Sequence, residues 1–318
     1  MSDGDLEARR PIALIGSGTI GRGWAVVFAR AGHPVALHDR DPRVTEEAIG
    51  LIEESLSDLA TFGLLEEEPG SVLARIRPVR DLDETVAGAV HVQESVAETV
   101  EVKRAVFAEL DRLSAPEAVL ASSSSAIVAS RFTEDLPGRG RCLIAHPAAP
   151  PFLVPIVEIV PAPWTAPDAV EATRALMEAA GQTPILVQRE IEGFVFNRLQ
   201  GALLREAYCL IRDGYVTAED IDRAVVAGPG RRWAFTGPFE NADLNYRGGV
   251  REHAGRMGAA YARMGAERGQ DDPWTEDLVA GVEAERHALL PREDWAERVA
   301  WRDRRLMALA ALCRRDPD

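Results

Sequence analysis

One stretch near the start of the chain constrains the fold more than any other: "PIALIGSGTIGRGWAVVFARAGHPVALHD", from Pro11 to Asp39. Ile12 to Ile15 are a short apolar run that predicts a buried strand. A glycine-rich turn follows. Ile20, Trp24, Val27, Phe28 and Ala31 then recur at helical spacing until Gly32 stops the helix. "PVALHD" predicts a second strand ending at Asp39. Gly16, Gly18 and Gly21 fit G-x-G-x-x-G: a tight turn, a close approach of backbone to pyrophosphate, and close helix–strand packing. The helix N-terminus adds free N–H groups and the positive end of its dipole. Gly16, Ser17, Gly18, Thr19, Ile20 and Gly21 are therefore the candidate cradle of a dinucleotide. Asp39, about twenty positions on, is placed to accept hydrogen bonds from the adenosine ribose and to repel a 2′-phosphate, which predicts NAD rather than NADP. Arg40 beside it is the residue that could instead accommodate that phosphate.

The alternation continues. Glu46 to Phe62 predicts an amphipathic helix, "ARIRPV" and "AVHVQE" strands, Thr99 to Leu113 a helix, and "AVLASSSS" a strand ending in serines. "RCLIAH", "PIVEIV" and "TPILVQ" predict three more strands, the last two separated by a helix from Pro167 to Ala180. Strands alternating with helices imply an α/β fold with a doubly wound, mostly parallel sheet whose ligands sit beyond the strand C-termini. Glu94 with Glu98, Ser125 and His146 fall at such ends and would face one crevice.

A length of 318 residues suits two domains. From about Ile191 the period becomes helical throughout, with "TAED" a capping sequence at Thr217. The last helix, about Arg292 to Arg315, sets Trp295, Val299, Leu306, Leu309 and Cys313 on one stripe. We expect a Rossmann domain over 1–189 and an all-helical domain over 190–318. A net charge of −15 with no basic stripe argues against nucleic acid or an anionic membrane as partner. The three cysteines, Cys142, Cys209 and Cys313, lie far apart without zinc spacing, so no metal site is expected and a reducing, cytoplasmic setting is. The N-terminus has no apolar core for a signal peptide, and no apolar run is long enough to span a bilayer.

A different stretch raises the question of chemistry. "CLIAHPAAPPFLVPIVEIVP" is apolar nearly throughout, yet carries His146 and Glu158. A carboxylate in a strand is costly to bury unless something pairs with it. Either Glu158 is exposed on an edge or His146 is its partner.

Read together, "IGSGTIGRGWA", "VQESVAE", "ASSSSAI", "AHPAAPPFLVPIVEIVP", "GFVFNRLQ", "AFTGPFE" and "WRDRRLMALAAL" resemble the 3-hydroxyacyl-CoA dehydrogenase superfamily over nearly the whole chain. Within it the sequence is most similar to the λ-crystallin / L-gulonate 3-dehydrogenase branch. The resemblance implies that His146 is the general base or acid and that Glu158 pairs with it. A neutral imidazole with pKa near ~6.5 can take the proton of a substrate hydroxyl as hydride leaves for nicotinamide. A carboxylate on its other nitrogen fixes the tautomer and stabilises the imidazolium. The resemblance further implies an oxyanion role for Asn197, a bond from Ser125 (Ser124 being the runner-up) to the reacting oxygen, and cofactor contacts from Glu98 and Lys103. It also implies a homodimer.

Two departures from the acyl-CoA relatives bear on substrate. "GPGRRWAFTGPFE" inserts Arg231, Arg232 and Trp233 where those enzymes have a short turn. A guanidinium can bind a free carboxylate through two parallel hydrogen bonds, and a thioester carries no such charge. The branch also shows an arginine at the position of Arg232, which implies a carboxylate anchor. Ala149 stands where many relatives have asparagine. The expectation is NAD-dependent oxidation of the C3 hydroxyl of a small free 3-hydroxy acid, with L-gulonate the best single guess. A 3-hydroxyacyl-CoA or a carnitine-like acid is the alternative within the same chemistry. An NAD-binding, crystallin-like structural protein is the non-enzymatic one.

Overall fold

The computed structural model describes residues 9–234, 236–247, 249–268, 277 and 291–315. Its strands are β1 Ile12–Ile15, β2 Val35–His38, β3 Ile76–Pro78, β4 His91–Glu94, β5 Val119–Ser122, β6 Cys142–Pro147, β7 Ile156–Pro161 and β8 Thr183–Leu186. Among the described residues these eight form one sheet in the order β3-β2-β1-β4-β5-β6-β7-β8. Every pairing is parallel except β6 with β7.

Parallel neighbours need crossovers, and helices supply them. Helix α1 (Thr19–Arg30) joins β1 to β2; α2 (Pro42–Thr61) and α3 (Pro69–Leu73) lead to β3; α4 (Leu82–Val86) leads to β4. Then α5 (Val100–Leu113) joins β4 to β5, α6 (Ser130–Thr133) precedes β6, and α7 (Pro167–Ala179) joins β7 to β8. The antiparallel β6–β7 pair has no crossover helix. Its register sets His146 directly opposite Glu158. Strand order reverses at β1, which lies between β2 and β4, so the ligand crevice opens at the C-terminal ends there.

Alternation along β1 builds the two faces of the sheet. Ile12 and Leu14 join one core cluster with Trp24 and Phe28 of α1, whose rings stack at 5.4 Å. Ala13 and Ile15 join the other, with Phe107 and Phe132. Helix α2 begins at Pro42, earlier than the expected Glu46, because Asp41 caps it by accepting from Arg43 N at 3.1 Å and proline suits a first helical position. Thr99 caps α5 through Val102 N.

The chain divides into two compact units: residues up to Arg198 together with those from Ala300 onward, and Leu199–Val299. Helix α8 (Phe196–Arg212) begins in the first. The described part of the second is helical, with α9 (Ala218–Ala227) capped by Thr217, α10 (Pro229–Trp233), α11 (Pro238–Leu244) and α12 (Gly249–Glu267). The terminal helix α13 (Trp295–Arg315) returns to the first unit, although its sequence position joins it to the second. There Met307 is buried, and Leu306, Ala310 and Ala311 pack on the core that holds α1 and α2. Leu306 of the expected stripe docks there, with Met307, Ala310 and Ala311 in place of Leu309. Leu309 is exposed, and the side chains of Trp295, Val299 and Cys313 lie outside the described residues. No described helix is long and apolar enough to cross a membrane.

Candidate active site

The cradle comes from the turn between β1 and α1. Gly16 has φ +101°, and a Cβ at Gly21 would lie 1.8 Å from the Gly16 carbonyl oxygen, so neither position admits a side chain. A Cβ at Gly18 would meet nothing within 4 Å, leaving the space at the helix N-terminus open. That combination fits a pyrophosphate. Asp39, just past β2, is fixed from both sides: Ser17 N donates to Oδ2 at 3.0 Å and Asp41 N to Oδ1 at 3.1 Å. The carboxylate keeps further lone pairs for a ribose. Arg40 is exposed and makes no hydrogen bond or ion pair among the described residues.

Beyond β5 the serines form a turn held by acids. Lys103 is 1% exposed, and its Nζ lies 3.1 Å from both oxygens of buried Glu94, 3.1 Å from Glu98 Oε2 and 3.4 Å from Ser122 Oγ. Its ammonium is spent on these partners. Ser122 Oγ donates to Glu94 Oε2 at 2.5 Å. Glu98 Oε1 receives Ser124 Oγ at 2.6 Å, Ser125 N at 2.9 Å and Ala126 N at 3.3 Å. Burial opposes the Glu98 charge most strongly, yet the Ser124 hydrogen bond and the Lys103 ammonium together hold its carboxyl below the usual range. This separates the serines. Ser124 is buried with its hydroxyl engaged by Glu98 and Ile127, whereas the exposed Ser125 hydroxyl has no partner among the described residues. Asn197, in the first turn of α8, donates from Nδ2 to the Ser125 carbonyl at 2.9 Å.

His146 and Glu158 meet across β6 and β7, Nδ1 to Oε2, at 2.8 Å, and both are buried. Glu158 does more than the sequence suggested. Its Oε1 accepts Val195 N at 2.7 Å and Phe196 N at 2.9 Å, so the same carboxylate anchors the N-terminus of α8. Burial again opposes the charge most, and the His146 hydrogen bond with the two amides outweighs it, so the Glu158 pKa is lowered. The chain reaches this geometry through a left-handed pair, Gly193 at φ +72° and Phe194 at φ +48°. Such a conformation is strained for phenylalanine. It turns successive N–H groups onto one oxygen and sets the fully buried Phe194 ring 5.5 Å from the imidazole. Phe194 was not foreseen; its only signal is the glycine before it. Imidazole Nε2 has no hydrogen-bond partner among the described residues and is not sealed from solvent, so it is the ring nitrogen left for a ligand.

The first unit thus holds Asp39 beside the glycine turn, the linked group Glu98, Lys103, Ser125 and Asn197, and the His146–Glu158 pair that anchors the start of α8. Arg232 belongs to the second, on α10, exposed, with Nη1 3.5 Å from Asn245 Oδ1.

An imidazole braced by a buried carboxylate, in a sheet that cradles a dinucleotide at its switch point, suits proton removal from a hydroxyl as hydride departs. The molecule is of the NAD-dependent dehydrogenase class that acts on CH–OH groups. More narrowly, it belongs to the 3-hydroxyacyl-CoA dehydrogenase family, whose NAD binding domain matches residues 11–191 and whose C-terminal domain matches residues 193–289. It lies in the lambda-crystallin branch: the lambda-crystallin homolog of Bos taurus is 41% identical over 95% of each chain. L-carnitine dehydrogenase of Nocardiopsis dassonvillei is 35% identical over 96% of this chain and 92% of its own. Among solved structures, a 5-formyl-3-hydroxy-2-methylpyridine 4-carboxylic acid 5-dehydrogenase, an NAD+ dependent dismutase, superposes with a TM-score of 0.84 at 28% identity, covering 96% of this chain and 98% of that one.

Proposed function

We propose that this dehydrogenase oxidises the C3 hydroxyl of a small free 3-hydroxy acid, with L-gulonate the first substrate to test. His146 Nε2 takes the hydroxyl proton. Glu158 keeps the other ring proton on Nδ1 and stabilises the imidazolium that forms. Bound NAD supplies the hydride acceptor. The Ser125 hydroxyl and the Asn197 amide face the substrate oxygen, and Asp39 receives the ribose hydroxyls. Glu98 borders the nicotinamide side, and Lys103 acts through it. The product is a β-keto acid, which can lose CO2.

Arg232 is the observation that carries the free-acid reading. It is an exposed guanidinium whose side chain makes, among the described residues, one long contact to a neutral amide, which supports its availability to a carboxylate. Two relatives lend support, since one is named for carnitine and the other for a pyridine carboxylic acid. The family's own description favours a second reading, 3-hydroxyacyl-CoA thioesters on the same catalytic residues. A panel of free 3-hydroxy acids, sugar acids and acyl-CoAs with NAD and NADP decides between them; turnover confined to thioesters would refute the free-acid reading. The exposed apolar side chains Leu199, Leu203, Phe239 and Leu244 support a homodimer, and the sparse cysteines, of which Cys142 and Cys209 form no disulfide among the described residues, support a cytoplasmic setting.

A further inference from the structure

We infer that Gln93 is a positioning residue that ties the His146 strand to the serine turn, so that base and serine keep one spacing across the crevice. The need arises from register. β5 pairs with β6 only as far as Ser122, opposite Ile144, and the chain then bends into the serine turn. The next residue of β6, Ala145, has no β5 partner, although it directly precedes His146. Gln93, on β4 opposite Ala121, reaches over this gap. Its amide nitrogen donates to the Ala145 carbonyl at 3.0 Å and to Ser123 Oγ at 2.7 Å.

The surroundings leave the amide one orientation. Gln93 Oε1 faces His91 Nε2 at 3.0 Å, while both amide protons are taken by oxygens. Ser123 Oγ also accepts Trp24 Nε1 at 3.0 Å. With both lone pairs occupied, its own hydrogen goes to Ser95 Oγ at 2.9 Å. Four elements therefore meet at one buried hydroxyl: α1 behind the phosphate cradle, β4, the segment after β4, and the serine turn. Gln93 and His91 are each 1% exposed, Ser123 is 9% exposed and Trp24 is fully buried.

Apolar groups of the same shape could fill such a space at little cost in stability only if they replaced every hydrogen-bonding partner at once. What they cannot do is set a distance. The two amide protons of Gln93 fix the residue before the base relative to the serine two positions before Ser125. A misplacement of about 1 Å can cost about a hundredfold in rate.

The inference rests on His146 as base, not on the identity of the substrate, so the variants are assayed on whichever compound the wild type turns over best. Gln93→Met removes all three hydrogen bonds at nearly constant volume, and Ser123→Ala removes the shared hydroxyl but leaves the Ala145 contact. The readouts are NAD affinity and binding stoichiometry by calorimetry, single-turnover NADH formation per NAD site, and its pH profile. Gln93→Met should slow hydride transfer per site about tenfold to a hundredfold. NAD affinity should stay within about twofold, and the pH profile should not move, because the His146–Glu158 pair spans β6 and β7 without Gln93. Ser123→Ala should show a smaller loss of the same kind. Three results would overturn the inference: a rate per site within about twofold of wild type in Gln93→Met, a fall in rate matched by lost NAD sites, or failure of both variants to fold.

Discussion

Replacing Glu158 with glutamine tests the site through a constraint that only the structure shows. The carboxylate serves two kinds of donor at once: His146 Nδ1 on Oε2, and the amides of Val195 and Phe196 on Oε1. A glutamine has one oxygen. If that oxygen stays with the two backbone N–H groups, the NH2 faces Nδ1, which must then be an acceptor. The ring proton moves to Nε2, and the base has no lone pair for the substrate. Restoring the working tautomer means turning the amide and leaving two buried N–H groups unpaired, at about 1–3 kcal/mol each. Together that is about 2–6 kcal/mol, or roughly thirtyfold to twenty-five-thousandfold in rate. The asparagine substitution in the serine-protease triad loses about 10⁴ for the same reason. Glu158→Gln should therefore lower kcat by about 10²–10⁴, at least as much as Glu158→Ala, with NAD affinity retained. Steady-state oxidation at saturating NAD, with ¹⁵N spectra to locate the His146 ring proton, provides the assay. A glutamine variant within about tenfold of wild type, or well above the alanine variant, would refute the argument.

Other outcomes follow from the same geometry. Asp39→Ala should weaken NAD about tenfold to a hundredfold, since hydrogen bonds to a charged group contribute about 1.5–3 kcal/mol; the NAD/NADP ratio of binding constants should fall, and a wild type that prefers NADP would show Arg40 in control. His91 is buried, its Nδ1 has no hydrogen-bond partner among the described residues, and burial pushes its pKa down to about 4. Between about pH 6.5 and 4 the unfolded chain binds a proton that the native state refuses, so stability should fall as pH drops through that window, by about 3 kcal/mol in all; denaturant midpoints across it should lose this slope in His91→Gln. Arg232→Ala should lower kcat/KM for free 3-hydroxy acids about tenfold to a hundredfold and leave acyl-CoA turnover unchanged, which side-by-side kinetics would check.

Local pattern made the first half of the fold legible. Gly16 and Gly21 sit where turn and packing demand them, Gly18 leaves the space at the helix N-terminus open, and β1 reads as a short apolar run. The facing of His146 and Glu158 followed from family resemblance, because periodicity alone cannot say which strands pair. What stayed hidden is long-range. Glu158 and Val195 stand 37 residues apart in sequence, Gln93 and Ala145 stand 52 apart, and nothing local links either pair. Lys103 looks like any helix lysine until β4 and β5 close over its ammonium. The return of α13 to the first unit turns on which of its faces finds a partner, and an alanine-rich helix offers several.

The most direct test of His146 as base is a single-turnover measurement of NADH formation by His146→Gln, set beside wild type with the best substrate from the panel. Proton removal by a positioned side chain contributes about 10²–10⁴-fold. The variant should lose a factor in that range in hydride transfer while binding NAD within about twofold of wild type. Hydride transfer at the wild-type rate in a folded, NAD-saturated His146→Gln enzyme would contradict the account.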